Sequence, residues 1–358
     1  MRTKPVLVLA TVLLVGGVFL GGTLARPDVF AAGPAPLQAN TPQSEVSPFR
    51  VGGKPPSPVL NIAHRGARAF APENTLQSFK KAIELGCHMI ELDVHHSKDR
   101  KLIVVHDDDL VRCSDVKKRF PGRKTYFVSD FTADEIRTLD AGSWFVEALN
   151  GPRDTRDGYL RDLTDEEERR FITEAARASY TSGKVRIPTL SEVLKWAKEN
   201  KVFVNIELKA IPRRYPGLTA DVVRLVEELK MEREVILSSF DHDALVEVRR
   251  LTKVIATAAL VSDRLHEPGR YVREFLDADS YNPGCYGDYD VLGFCSVSGK
   301  LTPEPIKSAR EAGLSATVWT ENDPVRMRQL IGAGATGIIT DYPNRLLDVL
   351  AEMDKPKM

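Results

Sequence analysis

Short apolar runs alternate with amphipathic helical patterns through most of the chain from residue 59 onward. The first unit of this kind joins an apolar run at 59–63, a helical pattern at 76–85 and an alternating run at 89–94. Asn74 is expected to cap this first helix. Strand, helix and strand in so short a segment form a βα unit, and such units favour a parallel sheet.

The same alternation recurs to the end of the chain and predicts eight strands. Eight strands are enough to close a barrel, so the sequence predicts an α/β fold, a (β/α)₈ TIM barrel over residues 59–354. The apolar run at 102–105 is left over and is expected to form an extra ribbon at the rim. The predicted barrel strands begin at Val59, Met89, Val202, Val235, Val254, Asp279, Ser315 and Gly337.

A long polar segment, residues 111–186, follows the second βα region and is predicted to be an insertion. It contains an amphipathic pattern at 132–140 and a second pattern at 164–178, whose alternating charges are typical of an exposed helix. The strand pattern of the barrel resumes at 202–209.

Polar residues close the apolar runs of the predicted strands. In a TIM barrel the reacting groups gather at the carboxyl ends of the strands, so these side chains are expected to lie around one mouth of the barrel. This clustering is the strongest functional signal in the residues themselves. The residues concerned are His64, Glu91, Asp93, Glu207, Lys209, Asn282, Trp319 and Asp341.

Glu91 and Asp93 share one face of their strand because side chains alternate along a strand. Their α-carbons are about 6.6 Å apart, close enough for both carboxylates to bind one hard cation, which prefers oxygen ligands. Glu207, at the end of another strand, offers a third carboxylate. The alternative is that these are ordinary solvent-facing residues, but barrel strands are packed inside and covered outside.

Two histidines end neighbouring apolar runs. His64 precedes Gly66, where the backbone can turn, and His106 follows the run at 102–105. Alone, His64 could merely cap its loop; paired with His106 beside a divalent ion, it predicts an acid/base centre. His95 and His96 are expected to be loop residues, and the sequence assigns them no function.

Three further residues are candidates for substrate binding. Arg65, next to His64, could hold a phosphate or carboxylate with two hydrogen bonds, or could be a surface charge. Lys209 could contact an anion or extend from the rim into water. Trp319 could form a wall of the substrate site or be a hydrophobic residue of the barrel mouth.

The balance of charge limits the possible ligands. Lys and Arg together number 50, as do Asp and Glu, so the formal net charge is zero. No overall basic field therefore favours nucleic acid. A small neutral or anionic ligand that is held locally fits this composition better.

The amino-terminal segment differs from the rest. Residues 1–32 combine Arg2 and Lys4 with an apolar stretch, and this pattern predicts a membrane anchor or a signal peptide. Its length favours an anchor, whereas small residues near its end suit cleavage. Either way the remainder is expected outside the cytoplasm, membrane-anchored or secreted. Residues 33–58, rich in Pro, Ala, Gly and Ser, are predicted to be a flexible linker.

Four cysteines permit disulfides in an exported protein but do not require them. Cys285 and Cys295 are near each other in a segment that resembles a loop, and they could pair. Unpaired thiols are the equally acceptable alternative.

Nine short motifs follow one another along the chain after the linker. They are His64-Arg-Gly66, Pro72-Glu-Asn-Thr75, Glu91-Leu-Asp-Val94, Val105-His-Asp-Asp-Asp-Leu110, Asp140-Ala-Gly-Ser-Trp-Phe145, Ile187-Pro-Thr-Leu190, Ile206-Glu-Leu-Lys209, Val318-Trp-Thr320 and Thr340-Asp-Tyr-Pro343. In order and in spacing these motifs resemble a known family, the glycerophosphodiester phosphodiesterases. The resemblance covers nearly the whole region after the linker, and nine ordered motifs are far more specific than any one of them.

The resemblance implies a barrel that hydrolyses glycerophosphodiesters to glycerol 3-phosphate and an alcohol. It also implies a role for each matching residue: His64 and His106 as the general acid and base, three carboxylates as ligands of Ca²⁺ or Mg²⁺, and Arg65 and Lys209 as phosphate contacts. The implied ligands are Glu91, Asp93 and Glu207.

Two features depart from the family pattern and leave substrate specificity open. The segment between Phe145 and Ile187 is long, and residues 147–186 could form a lid or a docking surface. Glu321 replaces a small apolar residue and could alter the alcohol side of the pocket. One alternative function is cleavage of membrane lysophospholipids in the manner of a phospholipase D. Another is a non-catalytic, membrane-anchored lipid-binding barrel.

Overall fold

A computed structural model describes residues 47–210, 215–285, 291–292 and 302–354. Its nine strands agree closely with the predicted pattern. In chain order they are β1 Leu60–Ala63, β2 Met89–His96, β3 Leu102–Val104, β4 Phe203–Leu208, β5 Val235–Ser239, β6 Ala256–Val261, β7 Ser280–Pro283, β8 Ser315–Val318 and β9 Gly337–Thr340.

The predicted (β/α)₈ barrel is confirmed. Eight parallel strands follow the order β1-β9-β8-β7-β6-β5-β4-β2, and pairing of β1 with β2 closes the sheet. Strand β3 is the extra ribbon expected at the rim, and it runs antiparallel to β2. All eight residues of β2 are buried because a closed parallel sheet is packed inside and covered by helices outside.

Helices separate most of the strands. Leu76–Glu84 (α1) follows β1, and its cap is Thr75, whose hydroxyl accepts a hydrogen bond from the amide of Ser78. The prediction that Asn74 caps this helix is therefore wrong by one residue. The other helices are α2 Val116–Arg119, α3 Ala133–Ile136, α4 Ser143–Asn150, α5 Gly158–Arg161, α6 Asp165–Phe171, α7 Glu174–Tyr180, α8 Leu190–Asn200, α9 Leu218–Glu228, α10 His242–Leu251, α11 Pro268–Arg270, α12 Glu304–Glu311, α13 Pro324–Gly332 and α14 Pro343–Met353.

The predicted insertion, residues 111–186, folds as the short helices α2–α7. Apolar side chains of these helices, Phe145 and Tyr159 among them, share a buried cluster with Phe70 of the loop after β1. The Tyr180 hydroxyl donates a hydrogen bond to the Phe70 carbonyl oxygen at 3.3 Å. The insertion thus packs on the loop that carries the residues following His64.

At the amino-terminal end of the barrel strands, a buried carboxylate lies between two arginines. Asp279, just before β7, binds Arg249 at 2.9 Å and Arg50 at 3.3 Å. Phe49, from the end of the segment predicted as a linker, is buried and meets the ring of Phe203 edge to face at 5.0 Å between centroids. Residues 47–51 therefore pack against the amino-terminal end of the barrel.

The predicted anchor or signal peptide at 1–32 and most of the predicted linker lie outside the described residues. Of the helices within the described ranges, none is long and apolar enough to cross a membrane.

Candidate active site

A cavity of about 620 Å³ opens at the carboxyl ends of the barrel strands. Most of the side chains predicted to be functional line it, and Asp93 lies just behind them, 3.7 Å from the guanidinium of Arg65. The two histidines, on separate strand ends, are therefore brought to one site, as expected. The predicted residues that line the cavity are His64, Arg65, Glu91, His106, Glu207, Lys209 and Trp319.

The three predicted carboxylates form one cluster. Asp93 and Glu207 are direct partners in the parallel pairing of β2 with β4, and Glu91 precedes Asp93 by two residues on the same face. One oxygen from each carboxylate lies within 4.8 Å of the others. Burial, together with the charges of Asp93 and Glu207, raises the pKa of Glu91 well above 4.5.

Each carboxylate also has a donor. The backbone amide of Arg65 donates to Glu91 Oε2 at 2.8 Å, and Lys209 Nζ donates to Glu207 Oε1 at 2.7 Å. Asn74, freed from capping, donates from its side chain to Asp93 Oδ2 at 2.9 Å. These donors fix the carboxylates in place without neutralising the whole cluster.

The cluster fits a hard divalent cation. Asp93 Oδ1 is buried and accepts no hydrogen bond from the residues that the structure describes, although Lys209 Nζ lies 3.6 Å away. A buried acceptor without a donor is costly unless a cation or water binds it. Carboxylate oxygens are the ligands that Ca²⁺ and Mg²⁺ prefer.

His64 directly follows β1, and its ring faces Asp341, with 2.8 Å between Nδ1 and Oδ1. Burial, followed by the charges of Arg68 and Arg65, lowers the pKa of His64 to about 3, and Asp341 acts in the opposite direction. The imidazole is therefore neutral at physiological pH. Because Asp341 stays ionised beside Arg68, the proton lies on Nδ1 and Nε2 carries the lone pair.

His106 follows β3 and is held from two sides. Its Nδ1 lies 2.8 Å from Asp107 Oδ1, and its backbone carbonyl accepts a hydrogen bond from His95 Nε2 at 3.0 Å. Burial, then the charge of Arg65, lowers the pKa of His106. The imidazole side chain is 31% exposed, so it remains open to a ligand in the cavity.

The expectation that His95 and His96 are loop residues is wrong. Both belong to β2, which runs two residues further than the apolar run suggests, and both are buried. His95 Nδ1 accepts from the hydroxyl of Tyr215 at 3.0 Å. His95 thus links the backbone of His106 to Tyr215, a role that alternation along one strand cannot reveal.

The backbone turn after β1 depends on Gly66. Its φ is +80°, and a Cβ at this position would lie 2.4 Å from Ser78 Oγ. The preceding residue Arg65 is also left-handed, with φ 54°, and this geometry aims its amide at Glu91. Only glycine fits here, because the loop and helix α1 approach each other so closely.

The apolar side of the cavity includes Trp319, Phe240 and Leu260. The rings of Trp319 and Phe240 meet edge to face, 5.2 Å between centroids, and Trp319 Nε1 donates to the carbonyl of Asn282 at 2.8 Å. This hydrogen bond fixes the indole as a wall. Trp319 was expected either to form a wall of the substrate site or to be a hydrophobic residue of the barrel mouth, and its position is compatible with both.

Glu321 does not contribute to this wall. Its carboxylate is buried in a turn, where Oε1 accepts the amides of Asn322 and Asp323 at 2.8 Å each. The thiol of Cys285 lies 3.4 Å from Oε2. Glu321 is not among the described residues that line the cavity, so it affects the alcohol side of the pocket at most through the turn.

The suggested disulfide would join Cys285 to Cys295, and Cys295 lies outside the described residues.

Sequence reasoning missed a set of charged residues behind the histidines. Glu73 and Asp107 lie within motifs of the family resemblance, and Asp341 ends a strand, but none of the three has a predicted role. Arg68 and Arg112 gave no signal at all, since isolated charges in loops are common. Their contacts join parts of the chain far apart in sequence, such as Arg112 with Glu73 at 2.7 Å.

The fold and the site together define a class of protein: a (β/α)₈ barrel enzyme whose polar centre lies at the carboxyl ends of the strands. Comparison with known proteins narrows this class. The model of the glycerophosphoryl diester phosphodiesterase family matches residues 64–345. The chain therefore belongs to that family, and it is a phosphoric diester hydrolase.

Individual relatives agree with this assignment. A glycerophosphodiester phosphodiesterase of Caldanaerobacter subterraneus is 31% identical over 291 residues, which cover 81% of this chain and 97% of the relative. A crystal structure from Silicibacter pomeroyi, ascribed to the same family, has a TM-score of 0.63 at 26% identity and covers 87% of this chain and 98% of that one.

A third relative shows the fold at lower identity. It is an Oleispira antarctica phosphodiesterase solved with the product sn-glycerol-3-phosphate, with a TM-score of 0.59 and 23% identity. The similarity covers 81% of this chain and 96% of that one.

Proposed function

We propose that this enzyme hydrolyses glycerophosphodiesters to glycerol 3-phosphate and an alcohol, with His64 and His106 as its general acid and base. The observation that carries the proposal is that both imidazoles line one cavity with Glu91 and Glu207, two members of the carboxylate cluster. The family assignment supports the substrate class.

The two histidines suit proton transfer because each has one nitrogen fixed by a carboxylate. With Nδ1 of His64 and of His106 held at 2.8 Å from Asp341 and Asp107, each ring can use Nε2 toward the substrate. The imidazole with the lone pair on Nε2 takes the proton of the attacking hydroxyl group, and the other, protonated on both nitrogens beforehand, gives its Nε2 proton to the departing alkoxide.

The phosphate is held by positive charge on two sides. Arg65 and Lys209 line the cavity, and the guanidinium of Arg65 can orient two phosphoryl oxygens at once. The carboxylates of Glu207 and Asp93 outweigh burial and raise the pKa of Lys209, so its ammonium group stays charged. Trp319 bounds the cavity beside the phosphate position.

Glu91, Asp93 and Glu207 would hold the divalent cation, Ca²⁺ or Mg²⁺. Bound there, the cation would offset negative charge on the phosphoryl oxygens. The chain itself supplies the geometry, because β2 and β4 present the three carboxylates in register.

A substrate panel tests this function. Turnover of glycerophosphocholine and glycerophosphoethanolamine should need Ca²⁺ or Mg²⁺ and should stop with a chelator. His64→Ala and His106→Ala should each lose about 10² to 10⁴-fold in kcat, the usual contribution of an acid/base group. Turnover within threefold of the parent in both variants would contradict the proposal.

The same panel separates the two alternative functions. Faster cleavage of lysophosphatidylcholine than of glycerophosphocholine would favour the lysophospholipase D activity. Binding of either compound without hydrolysis, and without any effect of chelator, would favour the non-catalytic lipid-binding barrel.

We further propose that the barrel works outside the cytoplasm, either held at the membrane by residues 1–32 or secreted. The support is the pattern of Arg2 and Lys4 before an apolar stretch. Protease treatment of intact cells, with amino-terminal sequencing of the mature protein, tests it. Protection from protease in intact cells would contradict this location.

A further inference from the structure

The imidazoles of the cavity are held in the same way. Nδ1 of His64 lies 2.8 Å from Asp341 Oδ1, and Nδ1 of His106 lies 2.8 Å from Asp107 Oδ1. The carboxylates come from different parts of the chain, since Asp341 follows β9 whereas Asp107 is the neighbour of His106. The orientation of each ring therefore depends on what holds its carboxylate.

Each of these carboxylates is held by one arginine through both oxygens. Arg68 donates to Asp341 at 2.5 and 3.2 Å, and Arg112 donates to Asp107 at 2.7 and 3.0 Å. Paired hydrogen bonds of this kind fix the plane and the angle of a carboxylate as well as its position. Two chains of histidine, aspartate and arginine result.

Both arginines converge on Glu73. Arg112 donates to its two oxygens at 3.0 and 2.7 Å, and Arg68 Nη1 lies 3.8 Å from Oε2. A third guanidinium, that of Arg65, donates to Oε1 at 2.9 Å. The Glu73 side chain is only 1% exposed, so these three arginines, rather than water, surround it.

The charge of Glu73 holds this arrangement together. Burial alone would raise the pKa of its carboxyl group, but Arg65 and Arg112 outweigh burial and hold that pKa well below 4.5. Without this negative charge the three guanidinium groups would repel one another. Arg65 would also be drawn toward Asp93, which lies 3.7 Å from its Nε.

We propose that Glu73 is a positioning residue that holds both histidine, aspartate and arginine chains, and Arg65 with them, in the geometry that the reaction needs. This inference rests on the proposed acid/base roles of His64 and His106. Its consequence is that one side chain that does not line the cavity sets the orientation of the acid, the base and a phosphate contact together.

Glu73→Gln tests the inference, because the amide keeps the size of the side chain and removes its charge. We expect kcat on glycerophosphocholine to fall about 10 to 100-fold, the usual effect of removing a group that orients catalytic or metal-binding residues from behind. Through Arg65, KM should rise as well.

Asp279→Asn is the matched control. Asp279 is also a buried carboxylate between arginines, Arg249 and Arg50, but it lies at the opposite end of the barrel. We expect Asp279→Asn and Glu73→Gln both to lower the melting temperature. Unlike Glu73→Gln, Asp279→Asn should keep kcat of the folded enzyme within threefold of the parent.

A double variant separates positioning from general loss of structure. If Glu73 acts through the histidines, Glu73→Gln should lower kcat by a smaller factor when His106 is already alanine than it does in the parent, because only the His64 chain and Arg65 are then left for it to position. If Glu73 only stabilises the folded structure, Glu73→Gln should lower kcat by the same factor in the parent and in the His106→Ala variant.

The outcomes are distinct. A kcat of Glu73→Gln within threefold of the parent, or an undiminished effect in the His106→Ala background, overturns the inference. If Glu73→Gln does not fold, Arg112→Lys provides the test. This variant keeps the positive charge but loses the paired hydrogen bonds to Asp107 and Glu73, and we expect its kcat to be about 10-fold lower than that of the parent. Parent-like kcat in Arg112→Lys overturns the inference. Parent-like turnover in His64→Ala and His106→Ala instead overturns the proposed function, and this inference with it.

Discussion

The imidazole of His64 and the carboxylate of Asp341 lie 2.8 Å apart, although 277 residues separate them in the chain. Burial favours the neutral acid, but Arg68 and His64 together outweigh it and hold the pKa of Asp341 below 3.8, so this carboxylate is ionised and must accept the proton on Nδ1 of His64. The pairing thereby selects the tautomer whose Nε2 can accept a proton.

Replacing Asp341 by asparagine should therefore impair catalysis more than binding. The amide can donate to Nδ1 and move the imidazole proton to Nε2, the nitrogen that must accept a proton. We expect kcat to fall about 10² to 10⁴-fold, the contribution of an acid/base group. Steady-state kinetics on glycerophosphocholine measure this loss.

Nitrogen NMR of the imidazole provides the independent check. In the parent enzyme His64 should not titrate between pH 5 and 8, because burial lowers its pKa to about 3 and the ring becomes charged only as the pH approaches that value. A parent spectrum with the proton on Nε2 would contradict the tautomer assignment, and an Asp341→Asn variant with parent-like kcat would show that the tautomer does not matter.

Metal affinity should rise with pH. Burial and the charges of Asp93 and Glu207 raise the pKa of Glu91, so below that pKa an incoming cation must displace a proton. Calorimetric titration with Ca²⁺ or Mg²⁺ at pH 5.5 to 8, in buffers of different ionisation enthalpy, counts the protons released.

Glu91→Gln is the variant that isolates this group. It should weaken binding by at least the roughly 10 to 100-fold that loss of a group behind the ligands causes, and it should abolish the released proton. Affinity that is independent of pH in the parent, together with parent-like affinity in Glu91→Gln, would remove Glu91 from the metal site.

Lys209→Met should change substrate binding and metal binding in opposite directions. Lys209 Nζ lies 2.7 Å from Glu207 Oε1 and 3.6 Å from Asp93 Oδ1, so it competes with a cation for their negative charge. Losing a charged hydrogen bond of about 1.5 to 3 kcal/mol to the phosphate should raise KM roughly 10 to 150-fold, while the cation binds more tightly. Lys209→Arg should keep most of the affinity for substrate. A KM within twofold of the parent in Lys209→Met would exclude the phosphate contact.

Gly66→Ala should destabilise the fold and loosen the site. The positive φ alone costs about 1 to 2 kcal/mol in the free energy of unfolding, and the close approach to Ser78 Oγ adds to that cost. Gly183→Ala is the matched control, since Gly183 also has a positive φ but has nothing within 4 Å of the added Cβ. Urea unfolding compares the two, and equal losses would mean that the approach of Ser78 is unimportant.

The resemblance and the strand-end pattern together predicted most of the charged side chains that line the cavity, but not Arg68, which lines it as well. Glu91 and Asp93 illustrate the reason. Their common face follows from the alternation along a single strand, so no knowledge of the rest of the fold is needed. The register of β2 with β4, which sets Glu207 beside Asp93, follows once the barrel is closed.

Asn74 and His95 illustrate what local patterns cannot supply. Asn74 is a residue type that often caps helices, but this helix begins one residue later than expected. The side-chain amide of Asn74 therefore donates a hydrogen bond to Asp93 instead. His95 has no local signal, because its partners are the His106 carbonyl and Tyr215, brought to it by β3 and by the segment before α9.

Local patterns were enough to predict the barrel, the strand ends and the chemical types of side chain at its mouth, because these depend on periodicities of a few residues. Such patterns could not predict that Arg68, Arg112 and Arg65 would share Glu73, or that Asp341 would orient His64, because these contacts form only in the folded chain. A buried charge takes whichever opposite charges the folded loops bring near it, and the paths of those loops are set by packing across the whole chain.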